Sequence, residues 1–288
     1  MKFLRPLDKA LQKKFPQLYY RFIQKPRIQF RFSTEKQLLN RAALSQSEHP
    51  SILFFTTQKC ASRYVGRILE RLANAEGLIN VDYDAYVTMA KVPKDQRPFS
   101  TQGALEWAFP HRGYLFGPLG SYRAIPEAHN FHSVLQLRDP RDVLTSLYFS
   151  TAFSHALINQ KMVQRREAAL QMGVDEYVLE NAGQYRKIYS QYIEKLVGQP
   201  EVLFLKYEHM VSDFGDWLAQ LSTHVQLAHH TETIQVILDE ASFKVGKEDR
   251  YSQKRQVTPG DYTRKLKTGT IDQLNRILGD VLEALAYD

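Results

Sequence analysis

The segment Ser51–Leu69, SILFFTTQKCASRYVGRIL, constrains the chain most, because an apolar run, a polar cationic turn and an amphipathic run follow one another without a gap. Ile52, Leu53, Phe54 and Phe55 form a short, continuously apolar stretch, the pattern of a strand covered on both faces inside an α/β sheet. Val65, Ile68, Leu69 and Leu72 then recur at helical spacing. Between them, Thr56 to Arg63 supplies hydroxyls, small residues and the cations Lys59 and Arg63 where the helix begins. The N–H groups and positive dipole end of a helix start make such a turn a site for a phosphate or sulfate. A plain strand-to-helix turn with solvated cations has the same composition, so this stretch alone leaves both readings open.

A second stretch, His132–Tyr148, HSVLQLRDPRDVLTSLY, repeats the arrangement. An apolar strand over Val134–Leu137 meets Arg138 at its end; Asp139 suits a helix N-cap and Pro140 the first helical turn. An arginine leaving a buried strand, with Ser146 two turns into the next helix, offers fork-shaped donors and a hydroxyl to one phosphate. Arg141 and Asp142 read as a surface ion pair.

With both stretches in view, the sequence resembles the sulfotransferase superfamily, whose members move a sulfuryl group from 3′-phosphoadenosine 5′-phosphosulfate (PAPS) to a hydroxyl or amine. Lys59-Cys60-Ala61-Ser62-Arg63-Tyr64 is similar to the family's 5′-phosphosulfate loop, and Arg138-Asp139-Pro140-Arg141-Asp142-Val143 with Ser146 to its 3′-phosphate motif. Tyr207, ending the apolar run Glu201–Tyr207, resembles the family tyrosine beside the adenosine. Arg255, Gly260, Asp261 and Tyr262 match the spacing of the C-terminal loop that folds over the 3′-phosphate, with Gln256 and Val257 replacing the family's lysine and glycine. The resemblance implies a P-loop-like α/β fold, PAPS as donor, adenosine 3′,5′-bisphosphate (PAP) as product and no metal. It assigns Lys59 to the leaving group, and residues 59–64, Arg138, Ser146, Tyr207 and Arg255 to the nucleotide.

Composition agrees with this class. The 288 residues, 43% hydrophobic, suffice for one well-buried domain, and helical segments alternating with short apolar runs predict a mostly parallel central sheet flanked by helices. The expected organisation is a basic aromatic extension over 1–49, packed on one domain over 50–288. A net charge of +7 suits a polyanionic ligand and does not call for nucleic acid. Residues 1–40 interleave Phe and Tyr with Lys and Arg, which suits peripheral contact with an anionic membrane, although no run has the length of a span. The single cysteine, Cys60, forms no internal disulfide, so a reducing, cytoplasmic location is expected. Lys59 and Arg63 beside it favour a lowered thiol pKa, yet without a histidine nearby Cys60 reads as a small loop residue.

The catalytic base is the open position. Where family members acting on phenols carry a histidine, this chain has Phe116-Gly117-Pro118-Leu119. Candidate replacements are Asp82 and Asp84, in a stretch read as irregular, His155 beyond the Ser146 helix, and His111 before the glycine-rich strand. The acceptor class expected from this analogy is a glycan, lipid or specialised metabolite. Two other readings stand beside it. A P-loop kinase would need a glycine-rich GxxxxGK[ST] loop, and Thr56–Arg63 contains no glycine. A non-catalytic nucleotide- or anion-binding module would explain the missing histidine.

Overall fold

The computed structural model describes residues 22–23, 25–42, 44–93, 97, 105, 107–155, 160–241 and 257–287. Its centre is a five-stranded sheet: β1 (Ile52–Thr56), β2 (Ile79–Val81), β3 (Tyr114–Leu119), β4 (His132–Leu137) and β5 (Val202–Lys206), in the order β2-β3-β1-β4-β5. All four strand pairings are parallel, so the carboxyl ends share one edge of the sheet. The chain moves to one side of β1 for β2 and β3 and to the other for β4 and β5, and this reversal opens a crevice at the carboxyl ends of the central strands.

Two short helices, α1 (Lys25–Arg31) and α2 (Ser33–Leu39), precede the sheet; α3 (Ser62–Ala75) follows β1 and α4 (Tyr83–Met89) follows β2. After β4 come α5 (Pro140–Phe149), a wide π-type turn over Ser150–Ser154, and α6 (Gln160–Lys195). The two helical patterns expected over 160–197 are the two limbs of α6, separated at Gly173, whose φ of 75° and ψ of 177° break the helix. The remaining helices are α7 (Tyr207–Ser212), α8 (Phe214–His224), α9 (Thr231–Glu240), α10 (Asp261–Lys265) and α11 (Thr268–Ala284).

Alternation along β1 divides the interior. Ile52 and Phe54 face a core built with Val65, Ile68, Leu69 and Leu72 of α3 and Trp217 of α8, whereas Leu53 and Phe55 face a second core with α6 and α11. Burial on both faces explains why β1 reads as an unbroken apolar run rather than an alternating one. At Gly117 the backbones of β1 and β3 come close: a Cβ there would lie 2.8 Å from the Phe54 carbonyl oxygen. On the outside, Ile28, Phe32 and Leu38 of the N-terminal helical stretch are buried, and the Phe32 ring lies 5.7 Å from that of Tyr86 on α4. Phe22 and Phe30 are exposed. Residues 1–21, which carry most of the membrane-contact expectation, lie outside the described residues.

The stretch Gly77–Tyr86 departs from the irregular segment expected of it. It contains the edge strand β2 and the start of α4, with Asp82 as the N-cap accepting a 2.8 Å hydrogen bond from the Ala85 N–H. A three-residue strand is too short to show a period, which is why the sequence did not display it.

Candidate active site

The loop from β1 to α3 lies at the carboxyl edge of the central strand. Lys59 and Ala61 both take left-handed backbone conformations, with φ of 68° and 59°. Non-glycine residues adopt this region at a cost of about 1–3 kcal/mol each, and such strain gathers where a backbone must curl its N–H groups around a ligand. The loop thus reaches, without glycine, the kind of curvature that a P-loop obtains with it. Ala61 occupies the N-cap position of α3, and no side chain caps the helix there. Its carbonyl accepts from the N–H groups of Tyr64 and Val65, leaving the first turn directed at the crevice. Cys60 is fully buried beneath, its Sγ 3.9 Å from the Tyr189 hydroxyl, and burial pushes its thiol pKa up to about 12. Desolvation therefore outweighs the neighbouring cations, and Cys60 is inert packing rather than an activated thiol.

Arg138 leaves β4, the neighbour of β1, and is 4% exposed. Its Nη2 donates to Asp142 Oδ2 at 2.9 Å, and its guanidinium lies 4.4 Å from the centre of the Tyr207 ring. Burial alone would disfavour its charge, but Asp142 and Glu208 hold it firmly protonated. Its Nε, also buried, has no protein partner. A charged donor left this way beside an anion loop fits a phosphate or sulfate oxygen.

Asp142 is not the exposed partner of Arg141 that the sequence suggests. Its carboxylate is buried and accepts three hydrogen bonds of 2.9 Å, from Arg138 Nη2 and from the N–H groups of Gly260 and Tyr262. Gly260, with φ of 79°, turns the chain so that both amides reach that one side chain. Arg141 instead pairs with Asp139, at 2.7 Å from Nη2 to Oδ2, reaches Asn275 on α11 and stacks 4.4 Å from the Tyr262 ring centre. Asp139 caps α5 through the Arg141 N–H, and its own N–H donates to Glu208 Oε1 at 3.0 Å. The charges of this motif are consumed inside the protein because four elements converge on it. Sequence spacing between Arg141 and Asp142 carries no sign of that.

Tyr207 is 5% exposed; its hydroxyl donates to the Val257 carbonyl at 2.7 Å and its face supports Arg138. Ser146 lies half-buried on α5, as do Ser62 and Tyr64 on α3. The Tyr64 ring meets Phe214 at 6.1 Å, and Phe214 stacks on Trp217 at 5.6 Å. Arg255 lies outside the described residues.

One group went unassigned in the sequence. Along α6, Tyr192 donates to the Thr56 carbonyl at 2.9 Å and Tyr189 to the Arg138 carbonyl at 2.6 Å, so one helix grips the ends of both site strands. The tyrosines at 185, 189 and 192 share a helical face, a pattern present in the sequence, but their polar tips point to strand ends that only the topology brings there.

The base candidates separate by surroundings. His111 belongs to the amino edge of the sheet: its carbonyl receives the Ser51 N–H, and its ring faces Glu127 and Phe131. The crevice lies at the opposite edge, so His111 is not a base for it. Asp84 is clamped by the Gly120 N–H at 2.7 Å and by Arg123, joining α4 to the end of β3. Asp82 has its pKa pushed up to about 6, by burial first, and the charges acting on it are chiefly Asp84, Glu35 and Arg31. His155 follows the π-type turn, its carbonyl receiving Arg166 Nη2. Its pKa is lowered by desolvation and then by the charges of Lys59, Arg166 and Arg63. The charges of the loop cations thus reach His155.

The parallel sheet, the curled loop after its central strand and the buried arginine after the next strand belong to an α/β protein of P-loop-like fold. The Sulfotransferase domain family model matches residues 125–273, just over half of the chain, and the chain belongs to that family. The match spans Arg138 to Ser146, Tyr207 and Gly260-Asp261, and begins after the Lys59 loop. No curated protein sequence matches the chain. Among solved structures, mouse sulfotransferase SULT7A1 complexed with PAP superposes with a TM-score of 0.51 at 13% identity, over 86% of this chain and 90% of that one. A retinol dehydratase in complex with androsterone and inactive cofactor PAP gives a TM-score of 0.52 at 15% identity, over 87% of this chain and 84% of that one. These likenesses extend the shared fold beyond the residues that the family model matches.

Proposed function

We propose that the chain transfers a sulfuryl group from PAPS to a hydroxyl or amine of a glycan, lipid or specialised metabolite by in-line displacement. The observation that carries this reading is the unpartnered, buried Nε of Arg138, a fixed cation one strand away from the curled Lys59 loop. Arg138, Ser146 and Arg255 would hold the 3′-phosphate, and residues 59–64 the 5′ end of the donor. Tyr207 acts one layer back, as the support of Arg138.

Bound PAPS supplies the activated sulfuryl group. What the chain contributes is charge and position. Lys59, Ser62, Arg63 and the first-turn amides of α3 meet the negative charge that builds on the bridging oxygen, which stabilises the transition state more than the ground state. His155 is assigned the acceptor proton: a lowered pKa leaves its imidazole neutral, hence basic, at pH 7. Asp82 and Asp84 are assigned to structure.

The second reading, an anion-binding module without turnover, is favoured by Phe116-Gly117-Pro118-Leu119 where family relatives of the phenol type carry histidine. Turnover separates the two. Incubation with PAPS and a library of alcohols and amines should release PAP in step with a sulfated product, and Lys59→Met should lower kcat about 100–1,000-fold, a larger factor than its loss of PAP affinity. PAP bound tightly with no transfer to any acceptor class would favour the module.

A further inference from the structure

At the amino edge of the sheet, away from the crevice, the fold assembles a group that no spacing in the sequence announces. Glu76, at the C-terminal end of α3, receives the Nε2 atoms of His229 and His230 on a single carboxylate oxygen, at 2.9 and 2.8 Å. The two imidazoles lie with ring centres 4.1 Å apart. The ligand atoms of all three residues fall within 4.8 Å of one another. Glu76 and His230 are partly buried, at 26% and 20% side-chain exposure, while His229 is 60% exposed.

We propose that Glu76, His229 and His230 form a binding site for a divalent metal of the zinc type. Two imidazole nitrogens and a carboxylate oxygen are a donor set suited to Zn²⁺, which prefers four ligands at about 2.0–2.2 Å. Tetrahedral ligands at that radius stand about 3.3 Å apart. The hydrogen-bonded atoms here need only separate by about half an ångström to admit the ion in place of the bridging protons. The exposed face of His229 leaves the fourth position to water. Both histidines immediately precede or cap α9, and Glu76 closes α3, so the ion would bolt one helix to the other. Arg71 and Glu240 already join the same two helices at 2.6 Å. The 14 residues of α3 separate this site from the Lys59 loop by about 20 Å, so its role is to fix the helix that begins at that loop and not to take part in transfer.

The test uses untagged, chelator-treated protein dialysed against low-micromolar zinc, with metal content and thermal midpoint measured together. The expected result is a single zinc ion per chain and a raised midpoint. Glu76→Gln and His230→Ala should each weaken zinc binding about 100-fold and abolish the rise. Should either variant unfold, X-ray absorption on the zinc-loaded wild type decides, with two imidazole nitrogens among the ligands expected. No stoichiometric zinc, zinc retained equally by both variants, or a coordination shell without paired imidazoles would overturn the site and leave a hydrogen-bonded helix clasp. None of these outcomes depends on sulfuryl transfer.

Discussion

The Arg138 region and the Lys59 region stand at the ends of adjacent parallel strands, yet they are built in opposite ways. Arg138, Asp139, Arg141 and Asp142 are each 7% exposed or less, and they are tied to one another and to α7, α10 and α11. In the loop, by contrast, Gln58 and Arg63 are exposed and Lys59 half-buried, and the backbone holds two strained residues. The first is a buried network of hydrogen bonds and ion pairs; the second is an open, strained edge. Such a division suits a reaction in which a constant phosphate is anchored and charge shifts elsewhere.

The largest expected effect falls on the socket. Asp142→Ala removes the acceptor of three hydrogen bonds and strands the Arg138 charge in the interior, and should cost about 3–5 kcal/mol in urea unfolding, with PAP affinity lost as well. A loss near 1 kcal/mol would mean the region is plastic, and the contrast with the loop would fall. On the open side, His155→Asn should leave unfolding stability within about 0.5 kcal/mol and lower kcat about 100-fold or more. Because its pKa is lowered, the wild-type rate should fall on the acid side, at a pH below the ordinary histidine range. The variant should lack that limb, and persistence of the limb would exclude His155.

A smaller effect sharpens the contrast from a third position. Asp82 has a folded pKa raised from 3.8 to about 6, so its contribution to stability is present below pH 4 and lost as pH rises through 6. Asp82→Asn keeps an oxygen for the Ala85 cap and removes the buried charge. It should gain about 1–2 kcal/mol at pH 8 and nothing at pH 4, with kcat unchanged. Loss of turnover in this variant would return the base to Asp82.

What could be read from the chain follows from range. β1, β4 and β5 and the helices after the first two rest on local pattern, and the two phosphate motifs are contiguous, so each shows in the sequence. β2 is too short for a period, and its aspartates became visible as a cap and a clamp only through Ala85, Gly120 and Arg123. The direction of the Cys60 shift, the burial of Arg141 and Asp142, and the grip of Tyr189 and Tyr192 all depend on partners 50 or more residues away. The histidine pair at 229 and 230 likewise gains meaning only beside Glu76, 153 residues earlier. Among the described residues no helix is long and apolar enough to cross a membrane.

The proposed role of Arg138 is that of fixed anchor for a nucleotide 3′-phosphate. Calorimetric titration of the wild type and of Arg138→Ala with PAP, with ATP and AMP as controls, tests it most directly. The expected result is low-micromolar PAP binding, about −8 kcal/mol, at least tenfold selective over ATP and lost in the variant. Equal binding of ATP and PAP, or unchanged PAP binding by Arg138→Ala, would contradict it.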